Sequence, residues 1–284
     1  MSAILNTFTD LEYLEDITYL AKNCLYINIT LWLLSLLVGK AWPVDFIWSS
    51  FPIYLLSFLL YDDCYSSLEF CSWKPFVTLI VTSIWGLRLT FNFINRGGIG
   101  HEDWRYTDMR KQFGKGYNLI SFVTVFAAQS TFMFVGCLPL FVIARASNIT
   151  TPSLIIGSCI SLTGVLLEIV ADGQMDTFVA LKKSKQTKKL VIDTGLWKWS
   201  RHPNYCGELM FWWGTYITSL RNISSLTSIG IIGPLLMSVL FFGISVGLME
   251  ERQLKNKRKE YQEYIRKVPS AIVLLPPGCC SKRN

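Results

Sequence analysis

Charge is what this chain has least of. Only 17% of its 284 residues are Asp, Glu, Lys or Arg, against about a quarter in an ordinary globular domain. Hydrophobic residues make up 51%, and the mean hydropathy is +0.36. That balance excludes a conventional soluble domain and points to a chain embedded in lipid. Other absences narrow the field. The cysteines show no zinc spacing, so no metal site is expected. No helix-turn-helix, finger or alternating aromatic and basic array supports nucleic-acid binding, although the net charge is +7. The N-terminus carries Asp10, Glu12, Glu15 and Asp16 against Lys22 alone, and so lacks the basic region of a signal peptide. Internal repeats and low-complexity segments are missing too.

What is present is a series of apolar runs: Cys24 to Val38, Val44 to Tyr61, Pro75 to Ile94, Leu119 to Ile143, Leu154 to Val170, Tyr205 to Leu220 and Ile229 to Leu248. Most reach the roughly 17 to 25 residues that cross a bilayer as a helix, the first and sixth marginally. The expected fold is an all-α polytopic membrane bundle of about seven transmembrane helices, or six, forming one integral membrane domain over residues 1–284.

Basic residues orient the bundle. The third-to-fourth connection, the fifth-to-sixth connection and the C-terminal segment hold five, seven and nine Lys and Arg, 21 of the 27 in the chain. All three fall on one side of a seven-span arrangement, which should be cytoplasmic. The acidic N-terminus is then lumenal, as are the sequons at Asn148 and Asn222. Cys64 and Cys71 share a lumenal loop, where they are able to pair. The adjacent Cys279 and Cys280 on a basic tail have the pattern of a palmitoylation site. Sequons and lumenal cysteines together favour the endoplasmic reticulum, and the basic surface favours anionic lipid or phosphate.

The cytoplasmic connections are chemically loaded. Gly97, Gly98 and Gly100 precede a His101, Glu102, Asp103, Trp104, Arg105, Tyr106 cluster, readable as a ligand loop or as a solvated loop stitched by local ion pairs. Glu168 and Asp172, four apart at the cytoplasmic end of the fifth span, point to one helix face. They are able to hold a ribose or amide, or Glu168 pairs with Arg88. In "DTGLWKWSRHPNYCGE" (193–208), Pro203 breaks regular backbone and Asn204 can cap the incoming helix. A helix start beside Arg201 and His202 suits a phosphate or pyrophosphate, or is simply a capped interfacial helix end.

The set "GHEDWRY..MR", "LLE..AD.Q...F", "TGLWKWSRHPNYCGE" and "MEERQLKNKRKEYQEYIRKVPS" resembles the steroid 5-alpha-reductase-like integral membrane family over residues 95–276. "RHPNY" is also similar to an element of isoprenylcysteine carboxyl methyltransferases and sterol C14 reductases. The resemblance implies a membrane-embedded reductase that uses NADPH to reduce an activated carbon–carbon double bond in a lipid-like steroid, polyprenol or acyl substrate. It places Glu168, Asp172, Gly195, Trp197, Asn204, Tyr205, Glu208, Glu251, Arg252 and Tyr261 at the cofactor; Arg201 and His202, read above as phosphate ligands at the helix start, and Arg105 are further cofactor-binding candidates. The family's second-span glutamate and third-span tyrosine, which grip a substrate ketone, have no counterpart here. Tyr54 and Tyr106 are therefore the candidate catalytic residues. The alternatives are an S-adenosylmethionine-dependent methyltransferase of the isoprenylcysteine type and a non-catalytic scaffold.

Overall fold

The computed structural model describes residues 11–66, 72–145, 149–220 and 229–276. The side chains of Cys64 and Cys71, the sequon asparagines Asn148 and Asn222, and Cys279 and Cys280 lie outside the described residues. Among those described, every regular element is helical. The helices are α1 (Leu11–Val38), α2 (Phe46–Ser66), α3 (Lys74–Asn95), α4 (Trp104–Phe113), α5 (117–136), α6 (Leu138–Arg145), α7 (Thr151–Lys183), α8 (Pro203–Ser219), α9 (Ile229–Asn256) and α10 (Arg258–Lys267). Both α5 and α9 contain a π-helical turn, Phe122–Ala127 and Leu240–Ser245.

Among the described residues, six stretches are long and apolar enough to cross a membrane: Glu15–Val38, Trp42–Tyr61, Lys74–Asn95, Trp104–Arg145, Thr151–Lys183 and Ile229–Asn256. They carry large apolar side chains on their outer faces, such as Leu37, 86% exposed, and Leu87, 66% exposed. In water such surface would be costly, whereas against acyl chains it is the matching face. The remaining expected span is α8, with 17 residues. At 1.5 Å per residue it is only about 26 Å long, short of a hydrocarbon core of about 30 Å.

By contact the chain divides into two compact units, Met1–Ile155 with Tyr216–Gly233, and Ile156–Thr215 with Pro234–Asn284. In the first, α2 and α3 approach closely at Gly86, where a Cβ would lie 2.5 Å from the Ser49 carbonyl oxygen. Fully buried Trp85 and Phe51 fill the neighbouring layers. Polar groups tie α1 to α5: Ser130 Oγ donates to Asn28 Oδ1 at 3.0 Å, and Trp32 Nε1 donates to the Asn118 carbonyl at 2.9 Å. At its acidic end α1 pairs Asp16 with Arg145 of α6 at 2.7 Å.

In the second unit, α7 and α8 cross through small residues. A Cβ on Gly207 would sit 2.5 Å from the Gly164 carbonyl oxygen, and one on Gly214 would sit 2.6 Å from that of Gly157. Only glycine allows backbones so near. Helix α7, about 50 Å long at 1.5 Å per residue, outruns the hydrocarbon layer, so its last turns extend beyond the apolar core. Helix α10 returns as an amphipathic cap whose Tyr261 and Tyr264, with Val268, pack against Val191, Leu254 and Ile265.

Candidate functional site

The polar cluster of the second unit is assembled from the α7 face, the loop before α8, the first turn of α8 and the C-terminal half of α9. Glu168 and Asp172 are both buried, at 1% and 7% exposure, as their four-residue spacing on one helix face requires. The close helix crossing explains the position of Glu168: a Cβ on Gly207 would lie 2.6 Å from Glu168 Cγ. Glu208, the next residue of α8, is also buried, and its Oε1 accepts from Trp212 Nε1 at 3.2 Å.

The loop before α8 is fixed on both sides. Gly195 has φ +60°, a conformation natural to glycine, and the following Leu196 N–H donates to Gln174 Oε1 at 2.9 Å. Trp197, buried, donates from Nε1 to the Ala171 carbonyl at 3.0 Å, and its own carbonyl accepts from Tyr264 OH at 2.6 Å. Residues 268–275 then run back over residues 199–202 as a strap. Arg201 N and His202 N donate to the Ser270 and Ala271 carbonyls at 3.1 and 2.8 Å, and Leu275 N donates to the Trp199 carbonyl at 3.1 Å.

Two sequence expectations are revised here. Asn204 does not cap α8. Pro203 is the first helical residue, a position where its missing N–H costs nothing, so the cap position passes to His202 and Asn204 enters the first turn. Its Oδ1 is buried with no hydrogen-bond partner among the described residues. Arg201 does not lie open at the helix mouth; it is buried and held from inside. Its Nε donates to Glu250 Oε1 at 2.7 Å, and its Nη1 donates to the Val268 and Pro269 carbonyls at 2.7 and 2.6 Å. The same Glu250 oxygen is 3.4 Å from His202 Nε2. The imidazole stacks on Tyr205, with ring centroids 5.1 Å apart, and Tyr205 leans on Phe241 in the π turn of α9.

Glu168, Asp172, Gly195, Trp197, Arg201, His202, Asn204, Tyr205, Glu208, Glu251, Arg252 and Tyr261 all belong to this second unit. Within α9, Glu251 is exposed and Arg252 half-buried. The carboxylate that meets Arg201 is instead their neighbour Glu250, which sequence reasoning passed over. Its one signal was its place in the Met-Glu-Glu-Arg run, where spacing alone cannot choose between adjacent acids. Gln174, the other missed residue, sits two positions beyond Asp172.

Arg105, Tyr54 and Tyr106 belong to the first unit. Tyr54 packs among Phe51 and Phe58. Tyr106 is 3% exposed and stands in a directed chain: Trp48 Nε1 donates to Gln129 Oε1 at 2.6 Å, Gln129 Nε2 to Tyr106 OH at 2.9 Å, and Tyr106 OH to Asp45 Oδ1 at 2.8 Å. Arg105 pairs with Asp103 at 2.8 Å. The rest of the glycine-flanked segment stitches the turn between α1 and α2. Arg110 Nη2 donates to Glu102 Oε1 at 2.8 Å and to the Gly39 carbonyl at 3.1 Å, and Glu102 accepts from Ala41 N at 3.1 Å.

Fold and polar cluster together define a polytopic α-helical membrane protein with a loop-and-helix motif built on internal carboxylates. The chain belongs to the family described as protein of unknown function DUF1295, whose model matches residues 31–268. An uncharacterized protein of Schizosaccharomyces pombe is 25% identical over 230 residues, 72% of this chain and 66% of that one. The protein-S-isoprenylcysteine O-methyltransferase of Saccharomyces cerevisiae is 31% identical over 94 residues, 32% of this chain and 36% of the enzyme. The chain thus spans just under two thirds of the first relative and about a third of the second. No solved structure matches it.

Proposed function

We propose that this protein is a membrane-embedded enzyme that binds NADPH in its second unit and reduces an activated carbon–carbon double bond of a lipid-like substrate. The observation that carries the reading is the buried Oδ1 of Asn204, an acceptor without a protein donor, set in the first turn of α8 in a unit whose α7 and α8 also bury Glu168, Asp172 and Glu208. A buried, unsatisfied acceptor is costly unless a ligand completes it. Acceptor oxygens of this kind suit the ribose hydroxyls and the amide or amino groups of a nucleoside cofactor. Asn204, Asp172 and Glu168 would hold that part, and His202 and Tyr205 offer stacked rings beside it. Arg201 would position the strap rather than bind phosphate. Bound NADPH supplies a hydride to the β carbon of an unsaturated carbonyl, and a proton must reach the substrate as well.

Membership of a family read as the steroid 5-alpha-reductase-like branch favours reduction. The 31% identity to the yeast methyltransferase supports a second reading, in which the same acceptors hold the adenosine of S-adenosylmethionine. Mass spectrometry of the nucleotide retained after mild detergent extraction, followed by calorimetric titration with NADPH and with S-adenosylmethionine, separates the two. NADPH binding that Asn204→Ala weakens supports the reductase. Binding of S-adenosylmethionine alone would replace it with methyl transfer, and binding of neither would remove both.

A further inference from the structure

The threonines of the membrane helices do not all behave alike. Thr30, Thr124, Thr131, Thr163 and Thr177 are exposed, and each hydroxyl donates to the carbonyl one turn back on its own helix at 2.7 to 2.9 Å. A hydroxyl that faces acyl chains finds no other acceptor there, so this self-pairing is expected. Thr78 and Thr82 of α3 break the pattern. They are 3% and 0% exposed, and neither Oγ1 has a hydrogen-bond partner among the described residues. The carbonyls one turn back in α3 are within reach of both side chains, yet neither hydroxyl takes them. Both are turned off their own helix.

The helix backbone sets how far apart the two stand. Four residues apart, they lie one above the other on a single face, with Cβ atoms about 5 to 6 Å from each other. One turn further along that face is Gly86, where a Cβ would lie 2.8 Å from Ile53 Cδ1 of α2. A turn beyond, Thr90 Oγ1 donates to Ser49 Oγ of α2 at 2.8 Å. The pair thus continues the packed side of α3, and its neighbours Val81 and Trp85 are buried too. Each hydroxyl has one proton to give. A single acceptor oxygen placed between them, with bonds of about 2.8 Å to each, satisfies both donors at that spacing. Two neutral hydroxyls cannot compensate a desolvated charge, so the oxygen must belong to a neutral group.

We propose that Thr78 and Thr82 form a binding site for the neutral oxygen of a lipid, a hydroxyl or a carbonyl. A molecule held at this depth of a membrane-spanning helix must be apolar apart from that group. Both residues belong to the first unit, so the proposal does not depend on which cofactor the second unit binds.

The test uses the full chain in nanodiscs of ether-linked phosphatidylcholine, whose chains carry neither ester carbonyls nor free hydroxyls. A diazirine-bearing hexadecanol is photolysed in the presence of hexadecanol, the methyl ketone of equal length or hexadecane, and adducts are mapped by mass spectrometry. Labelling of α3 or of α2 beside it should saturate, the alcohol or the ketone should compete, and hexadecane should not. Thr78→Val and Thr82→Val keep the side-chain shape and remove only the oxygen, so each should weaken binding about tenfold. Thr82→Ser should largely retain it, and Thr124→Val, on the exposed face of α5, should leave it unchanged. Competition by the alcohol alone assigns the site to a hydroxyl, by the ketone alone to a carbonyl, and by both to either group. Should a valine variant fail to fold, methyl NMR of the native protein decides instead, since the Thr78 and Thr82 resonances must shift with hexadecanol or the ketone and not with hexadecane. Unsaturable labelling, equal competition by hexadecane, valine variants that bind like the parent, or methyl resonances that ignore both oxygenated probes overturn the proposal.

Discussion

At the scale of single residues, Asn204 and Arg201 exchange the roles their neighbourhood suggests. Had Asn204 been a cap, its removal would cost about 1 kcal/mol of stability. With Oδ1 buried and unpartnered, truncation removes an unsatisfied acceptor instead. Asn204→Ala is therefore expected to melt at or slightly above the parent temperature without cofactor and to bind NADPH about tenfold more weakly, a loss near 1.4 kcal/mol. Scanning fluorimetry and titration on the same sample check both halves. Arg201 behaves in the opposite way. Arg201→Ala strands Glu250 and frees two strap carbonyls, so a destabilisation of about 3 kcal/mol is expected. Arg201→Lys should rescue little of it, because an ammonium cannot reproduce the planar fork. A chemical-denaturation series of the two variants measures this, and equal stability of Arg201→Ala and the parent would refute the tether.

At the scale of elements, α10 is a cap held by phenols. Tyr264 OH donates to the Trp197 carbonyl, and burial, followed by the charge of Tyr261, raises the Tyr264 pKa well above the usual tyrosine value. The sign follows directly. A group whose folded pKa is raised contributes stability that is complete below its unfolded pKa, near 10 for tyrosine, and is lost as pH rises through the folded value. Helix α10 should thus undock in alkali, and Tyr264→Phe should flatten that dependence at the cost of about 1 kcal/mol near neutrality. Limited proteolysis between pH 8 and 11 reports the undocking; an unchanged cleavage profile in the variant would count against it.

Elements also show what sequence can and cannot convey. The apolar runs disclosed the long helices because 3.6-residue geometry and bilayer thickness constrain composition locally. The shared face of Glu168 and Asp172 was legible for the same reason. The cap was misassigned because Pro203 and Asn204 both suit a helix start, and only backbone geometry tells which begins it. Glu250 stood in the sequence only as one of two adjacent acids, and the strap 268–275 left no local sign: their partners are about 50 to 70 positions away in the chain, and carbonyl acceptors are identical in every residue. Helix α4 hid within a segment that reads as a charged loop, since its apolar content is low and its start rests on Asp103 accepting from Arg105 N.

At the scale of the molecule, charge asymmetry carries the orientation. The basic connection after α7 should be cytoplasmic if positive residues remain on the side of synthesis. A Lys185→Cys variant in a cysteine-depleted background should react with an impermeant maleimide added outside sealed microsomes. Protection there, with labelling only after permeabilisation, would invert the orientation.

The π turn of α9 gives the chain a setting that residue chemistry alone does not reveal. A π turn is one residue wedged into an α-helix, and each residue advances the helix by about 100°. Everything after Ser245 is therefore dialled round by that angle from where an unbroken helix would carry it. Phe241 lies within the turn and supports Tyr205, whereas Glu250 lies beyond it and meets Arg201. One inserted residue thus lets a single helix serve two bearings at once. Gly243 is the natural place to undo this, since a Cβ there would meet nothing within 4 Å. Gly243→Ala should be tolerated. Deleting Gly243 should rephase the helix, leave its apolar length nearly intact and swing Glu250 off the guanidinium, so that Arg201→Ala costs much less stability in the deletion background than in the parent, which a double-mutant denaturation cycle measures.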